Sequence, residues 1–334
     1  MPNRQDSSSS RRAEVTRTPH TFFLRTTLVL LLTALVSLPA VPAADAQTSQ
    51  KVLFGGITYS GPYDFSELNS FEKAARKKST FISYYQALDY APTFNPTLAD
   101  AVRARGATPQ ITLEPWKHDG GVEQPQYALT RILDGSHDAT FRTWARGIKA
   151  WGKPLQLRFA HEMNGNWYPW SEGVNGNQSG SYVQAWRYVH NIFKSEGATN
   201  VSWVWSPFVR LPGSKPLASF YPGDAYVDWV ALDGYNGGTA LDWGGWQSFE
   251  QIFGPSLAEL KTFTNKPVAI AEVASAEAGG NKALWIKDFF AALERRPEIK
   301  AFSWFHFNKE TDWRITSSPS AQKAFATGIS NRRY

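Results

Sequence analysis

The segments Leu155-Gln-Leu-Arg-Phe-Ala-His161, Ser181 to Glu196 and Val201-Ser-Trp-Val-Trp-Ser206 decide the fold. The first is a short apolar run that closes on polar residues, as a buried strand does. In the second, Tyr182, Ala185, Trp186, Val189, Ile192 and Phe193 recur at helical spacing, with Ser181 placed to cap the first turn and Gly197 to end the last. The third is again short and apolar. Strand, helix and strand in that order make a βαβ unit, the building block of a parallel sheet.

The alternation continues on both sides. Strands are expected over Val52–Thr58, Thr80–Gln86, Gln110–Leu113, Leu155–His161, Val201–Ser206, Val227–Asp233, Val268–Glu272 and Lys300–His306. Helices are expected over Phe65–Lys78, Thr97–Arg105, Ala139–Trp151, Ser181–Glu196, Gln247–Thr264 and Lys282–Arg295, with a less clear stretch after Ser206. In the last of these, Leu284, Trp285, Phe289 and Leu293 form the expected buried face, and Pro297 stops the helix. Eight strands with intervening helices fit one (β/α)8 TIM barrel, usually about 250 residues long. An open doubly wound sheet is the alternative, but no glycine-rich turn of the dinucleotide or phosphate kind is present.

The 334 residues include no cysteine, which excludes disulfide scaffolds, thiolate metal sites and cysteine nucleophiles. At 42% hydrophobic and 19% charged, the chain can bury a large core. Residues 1–46 contribute +2 of the formal charge of +6, and the remainder has no Lys/Arg block that would argue for nucleic acid. Those first residues combine an Arg-bearing start, an apolar run from Thr26 to Leu38 and an Ala44-Asp45-Ala46 ending, the pattern of a signal peptide. Secretion follows as an expectation, with a mature catalytic domain over 47–334 and no stable membrane association after cleavage. A retained anchor is the other reading of the uncharged stretch Thr26–Ala44, which Pro39 and Pro42 interrupt.

In a (β/α)8 barrel, chemistry sits at the C-terminal ends of strands. Glu162 and Glu272 close or follow the fourth and seventh strands, which lie across the barrel mouth from each other. Facing carboxylates suit glycoside cleavage, one protonating the departing oxygen and the other attacking or stabilising the sugar carbon. A salt bridge to a nearby Arg or Lys is the bland reading of either residue. His161-Glu162 also opens like a zinc-protease helix, but position 165 is Gly rather than the second His. A Gly-x-Ser-x-Gly elbow is absent as well, and no cluster has metal-ligand spacing, so neither cofactor nor metal is expected.

The run Arg158-Phe-Ala-His-Glu-Met-Asn-Gly-Asn-Trp-Tyr-Pro-Trp170 resembles the acid/base signature of glycoside hydrolase family 26, the β-mannanase family of retaining (β/α)8 enzymes. Further matches are Trp229-Val-Ala-Leu-Asp-Gly-Tyr-Asn236, Ala271-Glu272 and Asp312-Trp313-Arg314. The resemblance implies that Glu162 is the general acid/base and Glu272 the nucleophile. It implies too that His161 contacts the sugar, that Tyr235 hydrogen-bonds the nucleophile, that Trp167 lies under the sugar, and that Trp313 and Arg314 line the non-reducing side. Trp116 and Trp304 are read as further platforms, the former equally as core. Asp233 and Glu114 are read as hydroxyl binders or loop anchors.

The implied activity is a retaining endo-β-glycanase acting as a monomer on a β-linked polysaccharide, foremost β-1,4-mannan. Mixed-linkage β-1,3-1,4-glucan is the alternative towards which Trp167-Tyr168-Pro169-Trp170 leans, and a non-catalytic carbohydrate-binding barrel is a third reading. The 14 tryptophans divide accordingly. Trp144, Trp151, Trp186, Trp203, Trp205, Trp229 and Trp285 are expected in the core, whereas Trp116, Trp167, Trp170, Trp243, Trp246, Trp304 and Trp313 are expected at the strand-end face.

Overall fold

The computed structural model describes residues 51–331 and 333–334, so the expected leader lies outside them. Eight strands, β1 (Leu53–Ile57), β2 (Phe81–Ala87), β3 (Thr108–Glu114), β4 (Leu155–Phe159), β5 (Val201–Trp205), β6 (Trp229–Asn236), β7 (Val268–Ser275) and β8 (Ile299–Phe305), form a closed barrel in chain order. Every pairing is parallel, and β8 closes on β1 from Leu53 opposite Ala301 to Ile57 opposite Phe305. The helices are α1 (Ser66–Ala75), α2 (Pro96–Ala104), α3 (Leu129–Leu133), α4 (Asp138–Trp151), α5 (Ser181–Glu196), α6 (Phe249–Leu260), α7 (Lys282–Arg295) and α8 (Pro319–Gly328).

Local chemistry explains most of these boundaries. Asn95, Ser248, Asn281 and Ser318 cap α2, α6, α7 and α8 through side-chain oxygens, and Ser248 with Gln251 completes a reciprocal capping box. Ser181 does not cap α5. Gly180, in the left-handed region, takes the cap position, and the Ser181 hydroxyl donates instead to the Gln178 carbonyl at 2.6 Å. In α7, Leu284 faces solvent, while Ile286 and Phe290 join Trp285, Phe289 and Leu293 in the core. Helices α3 and α8 were not anticipated, because five residues are too few to show a period and α8 buries mainly alanines.

The barrel interior is layered. At its base Phe81, Val204, Ala231, Ala269, Ala271 and Ala301 pack together. Above them buried Ser83 donates to buried Gln110, which donates in turn to half-buried Gln156, so these polar groups satisfy one another. A register shift between β6 and β7 then sets the mouth. Leu232 pairs with Ile270, but the next residue, Asp233, pairs with Glu272 and skips Ala271. This bulge lets both Ala271 and Glu272 point into the barrel, breaking the strict alternation that would have turned Glu272 outward.

Candidate active site

Arg158 stands on β4 inside the barrel with its side chain fully buried, and a buried guanidinium requires anionic partners. Its Nε donates to Thr112 Oγ1 at 2.9 Å, and Nη1 donates to both Asp233 oxygens at 3.1 and 3.0 Å. Nη2 donates to Glu272 Oε1. The same oxygen accepts from the Tyr85 hydroxyl at 2.6 Å, and Glu272 Oε2 accepts from the Tyr235 hydroxyl. Burial and the Glu272 charge hold both phenols well above their ordinary range, so each keeps the proton it donates. Glu272 is thus held at both oxygens by donors from three other strands.

Glu162 follows β4 on strained backbone. Ala160 and Glu162 both lie in the left-handed region, at φ 44° and 52°, a cost of about 1–3 kcal/mol each that surrounding bonds must offset. Glu162 N–H donates to Ser206 O at 2.7 Å, and the Asn164 amide exchanges hydrogen bonds with the Phe208 backbone at 2.8 and 2.9 Å. Gly165 permits the next step. A Cβ there would sit 2.5 Å from the Trp167 ring, which folds back so that its Nε1–H reaches Glu162 Oε2 at 2.7 Å. Burial, reinforced by the Glu272 charge, pushes the Glu162 carboxyl up to about 8, against the opposing pull of Trp167 and Arg158.

The remaining expected site residues fall into distinct places. His161 is enclosed by Tyr168, Tyr85 and Trp170, with ring centroids 4.8 to 5.9 Å away. Burial, and then the charges of Arg158 and Lys309, hold it well below the usual histidine range, so it is neutral. Its Nδ1 lies 4.0 Å from Glu114, a carboxyl that burial pushes up to about 8. Trp116 is half-buried, edge-on to Tyr168 and Trp170. Trp313 packs on Tyr235 at 5.2 Å and is almost fully covered, so it backs the site rather than offering an open face. Arg314 pairs with Asp312 at 2.7 Å.

Two expected binding residues are corrected. Asp233 is sealed from solvent and anchors Arg158, with Ser206 as a further donor, so it offers nothing to a sugar hydroxyl. Trp304 is equally sealed. It faces the helices, packing on Trp285, Phe289 and Phe325, and donates to the Trp313 carbonyl. Alternation along β8 turns the next residue, Phe305, to the mouth beside Tyr235. Trp170 is also buried, donating to His161 O, whereas Trp167 and Trp243 keep open faces.

Tyr85, Tyr168 and Arg158 were missed as site residues. Arg158 had a readable signal, a charged residue midway along an apolar strand. Tyr84-Tyr85 lies midway along β2 with one ring turned to the core and the other to the mouth, a choice that register alone decides.

A closed (β/α)8 barrel whose mouth holds one carboxylate ringed by donors and a second beneath an indole has the paired acids that glycoside cleavage uses. Residues 123–311 match the family model described as Glycosyl hydrolase family 26, more than half of the chain, and the chain belongs to that family. Endoglucanase H of Acetivibrio thermocellus is 40% identical over 271 residues, 79% of this chain and 29% of that protein. The chain therefore spans under a third of that relative's length. A mannan endo-1,4-beta-mannosidase of Bacillus subtilis is 29% identical over 158 residues, 46% of this chain and 37% of its own. The fold matches a modular endo-beta-1,4-mannanase from Cellulomonas fimi at TM-score 0.65 and 16% identity, covering 85% of this chain and 71% of that one. A beta-mannanase from Bacteroides ovatus matches at TM-score 0.63 and 16% identity, covering 85% and 90%.

Proposed function

We propose that the protein is a retaining endo-β-glycanase in which Glu272 attacks the anomeric carbon and Glu162 first donates a proton to the departing oxygen, then takes one from water. The observation that carries this reading is the unequal setting of the two carboxyls. Glu272 faces three donors that orient its oxygens. Glu162 is kept in the acid form by burial and by the Glu272 charge. When Glu272 becomes an ester its charge disappears, which lowers the Glu162 carboxyl and readies it as the base of the second step.

Mannan is the substrate supported by the mannanases among the relatives and structural neighbours. A second reading, β-glucan, is favoured by the 271-residue match to a protein named an endoglucanase. Digests of galactomannan, glucomannan, lichenan and xylan, separated by chromatography, decide between them. Products from galactomannan support the first reading and products from lichenan alone support the second. In either case proton NMR is expected to show the β anomer first. An α-anomeric product would sink retention, and no product from any polymer would leave a binding barrel.

The pH profile follows from Glu162. Catalysis needs its acid form, so kcat/KM is expected to fall as pH rises through about 8. Stability has the same sign. A carboxyl raised on folding stabilises fully below its unfolded value near 4.5 and loses that contribution as pH climbs to about 8. Glu162→Gln should therefore raise Tm relative to the parent more at pH 9 than at pH 4. An equal difference at both pH values would contradict the assignment.

A further inference from the structure

Two exposed tyrosines beside the site are oriented contrary to the usual surface habit. A solitary surface tyrosine normally lays its ring on the protein and turns its hydroxyl to water. Tyr63, in the loop after β1, and Tyr90, in the loop after β2, do the reverse. Their relative exposures are 61% and 50%, yet both hydroxyls are tied to the protein. Tyr63 Oη accepts from Gln86 Nε2 at 2.6 Å, and Gln86 Nε2 also donates to Tyr85 O at 2.8 Å. Tyr90 Oη donates to the same Tyr85 carbonyl at 3.3 Å. Gln86 itself is buried, so both phenols are fastened to one internal amide and one carbonyl. The edge of His118 props Tyr90 at 6.1 Å.

The residue on which they converge is Tyr85, whose own hydroxyl bonds Glu272. The pair is therefore continuous with the site, one residue from the group proposed to attack the sugar. The Glu162 side lies elsewhere. Trp167, bonded to Glu162, packs edge-on against Phe208 after β5 at 5.3 Å, which puts the leaving group over β4 and β5. In a closed barrel of eight strands the side across from β4 and β5 is that of β8 and β1, where Tyr63 lies, with Tyr90 after the adjoining β2.

We propose that Tyr63 and Tyr90 form a paired aromatic subsite for the glycone part of the substrate, stacking on the C–H faces of backbone sugars beyond the one that is cut. This rests on the endo-β-glycanase reading and adds to it a place and a direction for the polysaccharide. With their hydroxyls already bonded, the rings present rigid faces and lose little conformational entropy on binding.

The test is a series of reducing-end aryl β-glycosides carrying one to four glycone sugars, mannose- and glucose-based, assayed on the parent, on Tyr63→Ala/Tyr90→Ala and on Tyr63→Phe/Tyr90→Phe. Parental kcat/KM is expected to rise with glycone length. The Ala pair should match the parent on the shortest substrate and fall behind by about 10-fold per ring on the longer ones, mainly through KM, while the Phe pair recovers most of the gain. Tm of each variant separates this from unfolding. A parental length profile in the Ala pair, or an equal loss at every length, would overturn the subsite. A loss that tracks aglycone length in polymer digests would overturn its direction. A parent inactive on every aryl glycoside and every polymer would overturn the glycanase reading and this subsite with it, an outcome distinct from the others.

Discussion

Replacing Glu272 by Ala is expected to lower kcat roughly 10⁴-fold or more while leaving the barrel folded, since the proposed covalent step loses its attacking group. The packing explains why the fold survives. Arg158 keeps Thr112 and both oxygens of Asp233, so no buried cation is stranded. Tyr85 and Tyr235 each lose an acceptor, at about 1–3 kcal/mol for a buried donor. Against that, Glu162, raised by burial first and by its neighbour second, loses that neighbouring like charge. The net change in Tm should stay within about 10 °C. Added azide can enter the space left by the carboxylate and attack the anomeric carbon of an aryl glycoside from the same face, giving an α-glycosyl azide and the phenol. Near-parental turnover of Glu272→Ala, or rescue that yields only the β-azide, would dismiss Glu272 as the attacking group.

How much of this was legible beforehand depends on whether the deciding signal was local. Helices α5 and α7 match their expected ranges because long amphipathic patterns end at glycine or proline. The strands were found by their apolar runs. Their faces were harder to read. Trp304 and Phe305 are neighbours on one strand, and only the closed register shows that the first meets helices and the second meets the site. Glu272 was legible as a carboxylate after an apolar run, but the bulge that turns it inward was not, because skipping Ala271 is a property of the pairing with β6. Asp233 shows the complementary error. A strand-end acid looks alike whether it meets a sugar or an arginine, and the partner, Arg158, lies 75 residues away. Asn177-Gln-Ser179 and Asn200-Val-Ser202 read as glycosylation sequons and make the same point. Both side-chain amides are engaged, Asn177 with Pro169 O and Ser171 O and Asn200 with Ile148 O and Lys153 O, so neither is presented for modification in the folded barrel.

Arg158→Met is expected to be the most damaging single change to the site as a whole, lowering both stability and turnover. It leaves Asp233 fully buried and Glu272 nearly so without their shared cation, and breaking such an arrangement from one side costs about 3–5 kcal/mol. For a barrel of this size that corresponds to a Tm loss of roughly 10 °C. The pH dependence identifies the cause. Burial drives Asp233 towards its neutral form and Arg158 opposes it, so without Arg158 the carboxyl must take up a proton to remain inside. A carboxyl raised on folding stabilises below its unfolded range and loses that contribution as pH rises, so the Tm gap to the parent should widen from pH 5 to pH 8. Adding Asp233→Asn to Arg158→Met removes the stranded charge and should recover a good part of the Tm. It should not recover kcat, because Glu272 still lacks the guanidinium that fixes the oxygen shared with Tyr85. Thermal melts across pH with parallel kinetics therefore separate the two tasks of Arg158. If the double variant regained parental turnover, Arg158 would be a structural anchor for Asp233 alone. If the single variant melted like the parent at every pH, the buried triad of Arg158, Asp233 and Glu272 would not be the keystone of the barrel mouth.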